Sequence, residues 1–103
     1  MKKLPSSVMV FGRKVEIKYI SKKELDNYIQ HAEGIYDTYT RGILINKEAP
    51  RNIQLYYIYH EMHHAMHNFT GIDQMLPPEF VEILCQCGAS LTEDVLNQSK
   101  SLK

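Results

Sequence analysis

Four of the chain's five histidines lie within eight consecutive positions, in the segment YHEMHHAMH at residues 59–67. His60 and His64 are four residues apart, and Glu61 directly follows the first of them. In an α-helix, residues at this spacing lie about 40° apart around the axis and one turn apart along it. Two such imidazoles can bind one Zn²⁺, and the adjacent carboxylate can act as a general base toward water. The segment therefore matches the H-E-x-x-H pattern of a catalytic zinc site.

The sequence around the motif predicts a helix from about Arg51 to Thr70. Its apolar residues recur at intervals of three and four: Leu55, Ile58, Tyr59, Met62, Ala65, Met66 and Phe69. This stripe lies between about 140° and 260° from His60, so both motif histidines point away from the main core. A helix with solvated surface histidines is the alternative. Ile53 and Tyr57 share the histidine face, however, and favour a covered face with a ligand.

The other histidines do not fit the same metal site. His63 and His67 are also four residues apart, but no glutamate follows His63. His67 lies seven residues after His60, about 10.5 Å along the helix, which is too far for one ion with bonds near 2 Å. We interpret His63 and His67 as bystanders or supporting side chains, and His31 is assigned no role.

A third ligand must come from elsewhere in the fold, because a catalytic zinc ion has three protein ligands and one open position. A further helix is predicted from about Pro78 to Asn97, and the short connector makes it a neighbour of the motif helix. Its polar side carries Glu79 and Glu82, and either can face the histidines. Its apolar side is expected to pack on the rest of the protein, through Phe80, Ile83, Leu84, Cys87, Leu91 and Val95.

The run HEMHHAMHNFTGIDQMLPPEFVEIL, residues 60–84, resembles the gluzincin metallopeptidases, in which a second helix supplies a glutamate. The small size and the strand RGILIN ahead of the motif resemble the minimal, phage-type minigluzincins. The order of elements is also similar to the core of antirepressor-cleaving metallopeptidases found near mobile elements. The resemblance covers roughly residues 34–92.

The resemblance implies a role for each matching residue. His60 and His64 correspond to zinc ligands and Glu61 to the general base. The glutamate ligand corresponds to Glu79 or to Glu82. The residues that follow Glu79 favour it, as in related small members. Gln86, four residues after Glu82, could be a supporting partner of that carboxylate. Glu82 therefore remains the alternative to Glu79 as the third ligand.

The implied function is zinc-dependent hydrolysis of peptide bonds in a peptide or protein substrate. The resemblance implies that Ile43–Ile45, in the strand before the motif helix, align the substrate as an added strand. The chain lacks the substrate-binding subdomain of larger gluzincins, which is compatible with weak or latent activity. The nearby tyrosines, Tyr56, Tyr57 and Tyr59, are interpreted as core or rim aromatics.

Two other readings of the sequence stay open. The chain could be a zinc-binding, non-catalytic module of phage or prophage type that binds a protein partner, in which case a fourth protein ligand would close the site. It could also be a plain α+β domain without a metal.

The other segments predict an α+β fold made of one domain, residues 1–103, with a flexible tail from about residue 98. Residues 8–20 predict a β-hairpin, and Ser21 with Glu24 predicts a capped helix that stops near Gly34. Two short strands joined near residues 40–42 follow. We therefore expect a small N-terminal antiparallel sheet and three helices, with the last two long and packed together around the zinc site.

Composition limits the partners and the compartment. Lys+Arg and Asp+Glu balance at 12 each, which gives no electrostatic reason to expect nucleic acid or an anionic membrane. On a helix Cys85 and Cys87 point about 200° apart and cannot bridge each other. We expect buried, reduced thiols and a cytoplasmic protein. The N-terminal apolar run is too short for a signal peptide.

Overall fold

The computed structural model describes residues 3–101, with side chains described through residue 98. The elements are β1 (Ser7–Val10), β2 (Arg13–Ile20), α1 (Lys22–Asp26), β3 (Gly34–Asp37), β4 (Gly42–Asn46), α2 (Arg51–Thr70), a 3-10 turn (Ile72–Gln74) and α3 (Pro78–Ser101). A four-stranded sheet near the N-terminus is thus followed by two long helices that pack together. The predicted α+β class is confirmed.

The sheet is mixed rather than antiparallel. Both predicted hairpins are present, since β1 pairs antiparallel with β2 and β3 pairs antiparallel with β4. The hairpins join through a parallel pair, β2 with β4, in which Ile17 lies opposite Ile43. The strand order is therefore β1-β2-β4-β3. The prediction of an antiparallel sheet was wrong for the pairing of β2 with β4, because the residue pattern within each hairpin does not determine how two hairpins pair with each other.

The two faces of the sheet pack against different helices, because side chains alternate along each strand. One face forms a core with α2 whose buried members are Val10, Val15, Ile17, Ile43, Ile45, Ile58 and Ala65. On the opposite face, Leu25 of α1 packs with Ile35 and Leu44. The apolar stripe of α2 is thereby held on the sheet, which directs the histidine face elsewhere.

The first helix is shorter than predicted. Ser21 caps it as the sequence suggests, and its side chain accepts the backbone N–H of Glu24. The helix nevertheless ends at Asp26, and His31 adopts a left-handed backbone with φ 67°, which a continuing helix does not allow. Gly34, the predicted stop, lies in β3 instead.

The two long helices begin at the predicted residues. α2 spans Arg51–Thr70 and ends at Gly71, whose φ of 80° is the left-handed conformation of a glycine C-cap. α3 spans Pro78–Ser101 and continues beyond the predicted end at Asn97. The first part of the predicted tail is therefore helical, and residues 102–103 lie outside the described residues. Within the described part of the chain, every helix is too short or too polar to cross a bilayer.

α3 packs on α2 through small residues rather than through the large ones that the sequence suggests. Val81, Cys85 and Ala89 are buried, and a Cβ added at Gly88 would overlap the ring of His63 on α2. The predicted packing face lies on the opposite side and is exposed: Phe80, Ile83, Leu84, Cys87, Leu91 and Val95. That prediction was wrong because the apolar pattern of a sequence is determined mainly by its large side chains. Two helices that approach closely instead need small residues at their contact, here Cys85, Gly88 and Ala89.

The cysteines do not bridge each other. Both thiols are free, and Cys85 is buried while Cys87 is exposed. The expectation of two buried thiols was therefore wrong for Cys87, since it lies on the uncovered side of α3.

Candidate metal centre

The H-E-x-x-H residues form a compact cluster on α2. The ring centroids of His60 and His64 are 5.0 Å apart. His60 is 3% exposed and Glu61 is 5% exposed. The donor atoms of His60, Glu61 and His64 all lie within 4.8 Å of one another, so the group could hold a metal ion.

The carboxylate of Glu82 on α3 faces both imidazoles. Its Oε1 lies 2.9 Å from His60 Nε2, and its Oε2 lies 3.0 Å from His64 Nε2. Two ligands of one tetrahedral zinc ion stand about 3.3 Å apart, as follows from metal–ligand bonds near 2.1 Å. Displacements of a few tenths of an ångström would thus convert these contacts into a ligand set. The packing of α3 on α2 brings the three side chains together.

The structure brings Glu82 to the histidines and leaves Glu79, the preferred candidate from the sequence, outside. Glu79 is exposed and does not line the cleft at the cluster. The reason is the helical position of each residue. Glu82 lies between Val81 and Cys85, which are buried against α2, whereas Glu79 lies about 60° further around the helix from that face.

The side chain of Glu61, on α2, is buried against β3. Burial raises the pKa of its carboxyl to about 8, with a further rise from the charge of Glu82, and a hydrogen bond from the backbone of Tyr36 opposes the shift. Gly34 allows this close contact, because a Cβ there would lie 3.2 Å from Tyr57 Cβ and 3.4 Å from Glu61 Cγ. The strand β3 thus runs directly beside the carboxyl group.

His60 is held in the protonation state that a metal ligand needs. Burial lowers the pKa of its imidazole, and the charge of Glu82 partly opposes that shift. Metal ions bind the neutral ring. Its Nδ1 is buried and has no hydrogen-bond partner among the described residues, so His60 lacks the supporting acceptor that most zinc-binding histidines have.

The two remaining motif histidines belong to the α2–α3 interface. The Nδ1 of His63 lies 2.8 Å from the carbonyl oxygen of Tyr59, and its ring packs at Gly88. His67 is buried, and its Nδ1 lies 3.5 Å from the sulfur of Cys85. Burial raises the pKa of Cys85 to about 12, so the contact is one between a neutral thiol and the imidazole of His67. His67 is therefore not a solvated side chain.

A cleft of about 520 Å³ opens over the cluster. Its lining comes from the loop before β3, from β3 itself and from both long helices: Ile29, Gln30, His31, Ala32, Gly34, Ile35, Tyr36, Thr38, Tyr57, His60, Glu61, His64, Asp73 and Glu82. His31 lines the cleft although the sequence assigned it no role, and Tyr57 lines it although the sequence indicated only a core or rim aromatic. Nothing periodic marks His31, because the early end of α1 and a left-handed turn bring it to the cleft.

The strand that lies at the edge of the sheet and lines the cleft is β3, not β4. Ile43–Ile45 lie in β4, which pairs with β2 on one side and with β3 on the other. Its backbone groups are already paired, so the expectation that Ile43–Ile45 align a substrate was wrong. The edge strand β3, Gly34–Asp37, lines the cleft instead.

The raised pKa of Glu61 predicts a pH-dependent stability of the metal-free protein. Between the usual carboxyl pKa of 4.5 and the folded value of about 8, the native state holds a proton that the unfolded state releases. Stability therefore falls as pH rises through this range, by up to about 1.4 kcal/mol per pH unit. Chemical denaturation with a chelator present, from pH 5 to 8, measures it. Glu61→Gln should remove this contribution, and an identical slope in both proteins would contradict the prediction.

Comparisons with protein-family models, with curated proteins and with solved structures found no match to this chain. The interpretation of the site therefore depends on its own geometry and chemistry.

Proposed function

We propose that this protein is a zinc-dependent metallopeptidase in which His60, His64 and Glu82 bind the ion and Glu61 is the general base. The observation that carries the proposal is the Glu82 carboxylate, which lies 2.9 Å and 3.0 Å from the two Nε2 atoms. Two imidazoles and one carboxylate are a ligand set of catalytic zinc sites. Glu61 occupies the position that the motif requires for the base.

The residues of the site support hydrolysis of an amide bond. Zinc bound there would lower the pKa of a water molecule and polarise the substrate carbonyl. Glu61 accepts a proton from the attacking water and passes it to the leaving amine. A nearby cation lowers the carboxyl pKa from about 8, which favours the ionised base at neutral pH. Burial raises the pKa of Tyr57, so its hydroxyl is protonated and can donate to the oxyanion.

An extended peptide is the substrate that the cleft fits best. β3 is an edge strand, and the backbone of Tyr36 in it hydrogen-bonds to the carboxyl of Glu61, so a peptide on this edge would lie beside that carboxyl. A peptide added to this edge would run antiparallel or parallel to Gly34–Asp37 and pass over the cluster. We therefore propose a peptide, or an unfolded segment of a protein, as substrate. The free thiols favour a reducing compartment, and we propose the cytoplasm.

The alternative of a non-catalytic zinc module requires a fourth protein ligand. Among the described residues, neither cysteine joins the cluster. Cys85 hydrogen-bonds with His67, and Cys87 is exposed on the side of α3 away from α2. Neither cysteine is therefore available as a fourth ligand, which favours a site with an open position over one closed by a thiolate.

Metal analysis combined with a peptide library tests the proposal. We expect about one zinc ion per chain by mass spectrometry of the purified protein, and cleavage of some library peptides. A chelator should remove both the zinc and the cleavage, and added Zn²⁺ should restore them. Protein without bound zinc would overturn the whole proposal. Zinc-loaded protein that cleaves no member of a library covering all residue pairs would overturn the peptidase assignment and favour the non-catalytic module.

A further inference from the structure

α3 presents an uncovered apolar stripe on the side opposite α2. It consists of Phe80, Leu84, Cys87, Leu91 and Val95, which follow one another at intervals of four, three, four and four residues. The large members are between 45% and 64% exposed. Ile83, 54% exposed, widens the stripe at its N-terminal half. We call this surface the α3 stripe.

The spacing of the α3 stripe is that of a helix–helix seam. Apolar residues at alternating intervals of three and four keep one line along a helix facing a partner helix. The stripe covers 15 residue steps, or about 22 Å of helix. It presents on the order of 500 Å² of apolar surface, which is at the upper end for a monomer and is typical of an interaction site.

We propose that the α3 stripe packs against the same stripe of a second copy, as an antiparallel helix pair about a two-fold axis near Cys87. An interface with two-fold symmetry must be self-complementary, so that residue i meets j and j meets i. With the axis between Cys87 and Gly88, Phe80 faces Val95 and Leu84 faces Leu91 of the other copy. Cys87, the smallest member, lies at the crossing point, where the helices approach most closely.

The area and the charges of the stripe favour a second copy as the occupant. Together with a polar rim, about 500 Å² of apolar surface approaches the roughly 800 Å² per partner of a standard interface. The formal net charge of the whole chain is zero, so the acidic side chains near the stripe, rather than the overall charge, decide how two copies can be oriented. Asp94 borders the stripe, and a parallel pair would place the two Asp94 carboxylates side by side. The antiparallel pair separates them by most of the length of the stripe.

A lipid surface fits the stripe less well. Amphipathic helices that bind membranes carry Lys or Arg beside their apolar face. Residues 78–98 of α3 contain none, and the charged side chains there are Glu79, Glu82, Glu93 and Asp94. An acidic border repels anionic lipid headgroups, so vesicle binding serves as the competing outcome of the test.

The dimer does not depend on the proposed zinc site. Glu82 faces α2, whereas the α3 stripe lies on the far side of the same helix. Pairing through the stripe leaves the cleft between β3 and α3 open in each copy. The dimer can therefore be tested in metal-free and zinc-loaded protein alike, and its failure would leave the proposed peptidase function unaffected.

Sedimentation of the full chain between about 1 and 200 µM tests the proposal. The 12.0 kDa chain should approach twice its mass as concentration rises. Leu91→Glu places a charge in the stripe and should raise the dimer dissociation constant at least tenfold. Ser90→Glu adds the same charge to an exposed position of the same helix beside the stripe and should change it little. Circular dichroism checks the fold of each variant, and Val95→Glu replaces Leu91→Glu if that variant does not fold.

Oxidative cross-linking with copper phenanthroline tests the register. A disulfide-linked dimer should form through Cys87, and Cys87→Ser should abolish it, with buried Cys85 as the internal control. A chain that stays monomeric at 200 µM would overturn the proposal, as would equal effects of Leu91→Glu and Ser90→Glu. A monomer that sediments with phosphatidylglycerol vesicles would assign the stripe to a membrane. A dimer without Cys87 cross-links would overturn the antiparallel register.

Discussion

Replacing Glu82 with glutamine is expected to weaken zinc binding by on the order of 10²-fold or more, since even residues that only support a ligand contribute 10- to 100-fold. Among the described residues, Glu82 is the carboxylate that lies within hydrogen-bonding distance of both imidazoles, at 2.9 Å and 3.0 Å. Glutamine keeps its size and removes its charge, so the loss reports on ligation rather than on packing. Burial is the main cause of the raised pKa of Glu61, and the change removes the negative charge of Glu82 that adds to it.

Glu79→Gln is the matched control, because Glu79 lies three residues earlier on the same helix and is exposed. It makes the same chemical change away from the imidazoles and should leave the zinc affinity unaltered. Competition against a fluorescent chelator measures both dissociation constants. A large loss of zinc affinity in Glu79→Gln, with none in Glu82→Gln, would contradict Glu82 as a ligand. It would favour Glu79, the ligand that the sequence favours. Equal and small effects would exclude a glutamate ligand from α3.

The parts of the fold that the sequence predicts depend on local spacing. The helix at residues 51–70 follows from its apolar period, and its end follows from Gly71, whose left-handed φ suits a glycine cap. The cluster of His60, Glu61 and His64 is equally local, because one turn of helix determines it. The two hairpins also come from alternation and turn residues within about ten positions. Each of these features needs no knowledge of what packs against it.

The parts that the sequence does not predict depend on contacts between distant segments. The choice between Glu79 and Glu82 depends on the rotation of α3 about its axis. That rotation is set by Gly88 against His63 and by the buried Cys85. An apolar pattern instead selects the side with Phe80, Leu84 and Leu91, which is exposed. The rotation of α3 therefore decides both which glutamate faces the histidines and which stripe stays uncovered.

The edge strand that lines the cleft is a second feature that the sequence does not predict, because it also depends on contacts between distant segments. The strand before the motif helix is β4, and only the parallel pairing of β2 with β4 makes it internal. As a result β3 is the edge strand, and its Gly34 allows close contact with Tyr57 and Glu61. A loop whose conformation depends on His31 completes the cleft. These positions follow from how the hairpins join, which residue spacing does not encode.

Glu61→Gln is expected to lower kcat for peptide hydrolysis by roughly 10²- to 10⁴-fold, the range for loss of a general base. The amide cannot accept the proton of the attacking water, yet it fills the same buried space beside β3. Because the base acts in the transition state, KM should change little. Zinc content should be unchanged, since the proposed ligands are His60, His64 and Glu82. Steady-state kinetics on a peptide selected from the library, with metal analysis of the same sample, measure both quantities.

The control variant and the stability of Glu61→Gln at pH 8 separate loss of the base from loss of the fold. Glu79→Gln should retain full kcat, because its carboxylate is exposed and lies outside the cleft. Glu61→Gln should be at least as stable as the parent protein in its metal-free form at pH 8, since it removes a carboxyl whose burial disfavours ionisation. A stable, zinc-loaded Glu61→Gln protein with full activity would therefore exclude Glu61 as the base. Another residue that lines the cleft would then have to take the proton, because the carboxylate of Glu82, at 2.9 Å and 3.0 Å from the two Nε2 atoms, is already a metal ligand in the proposal.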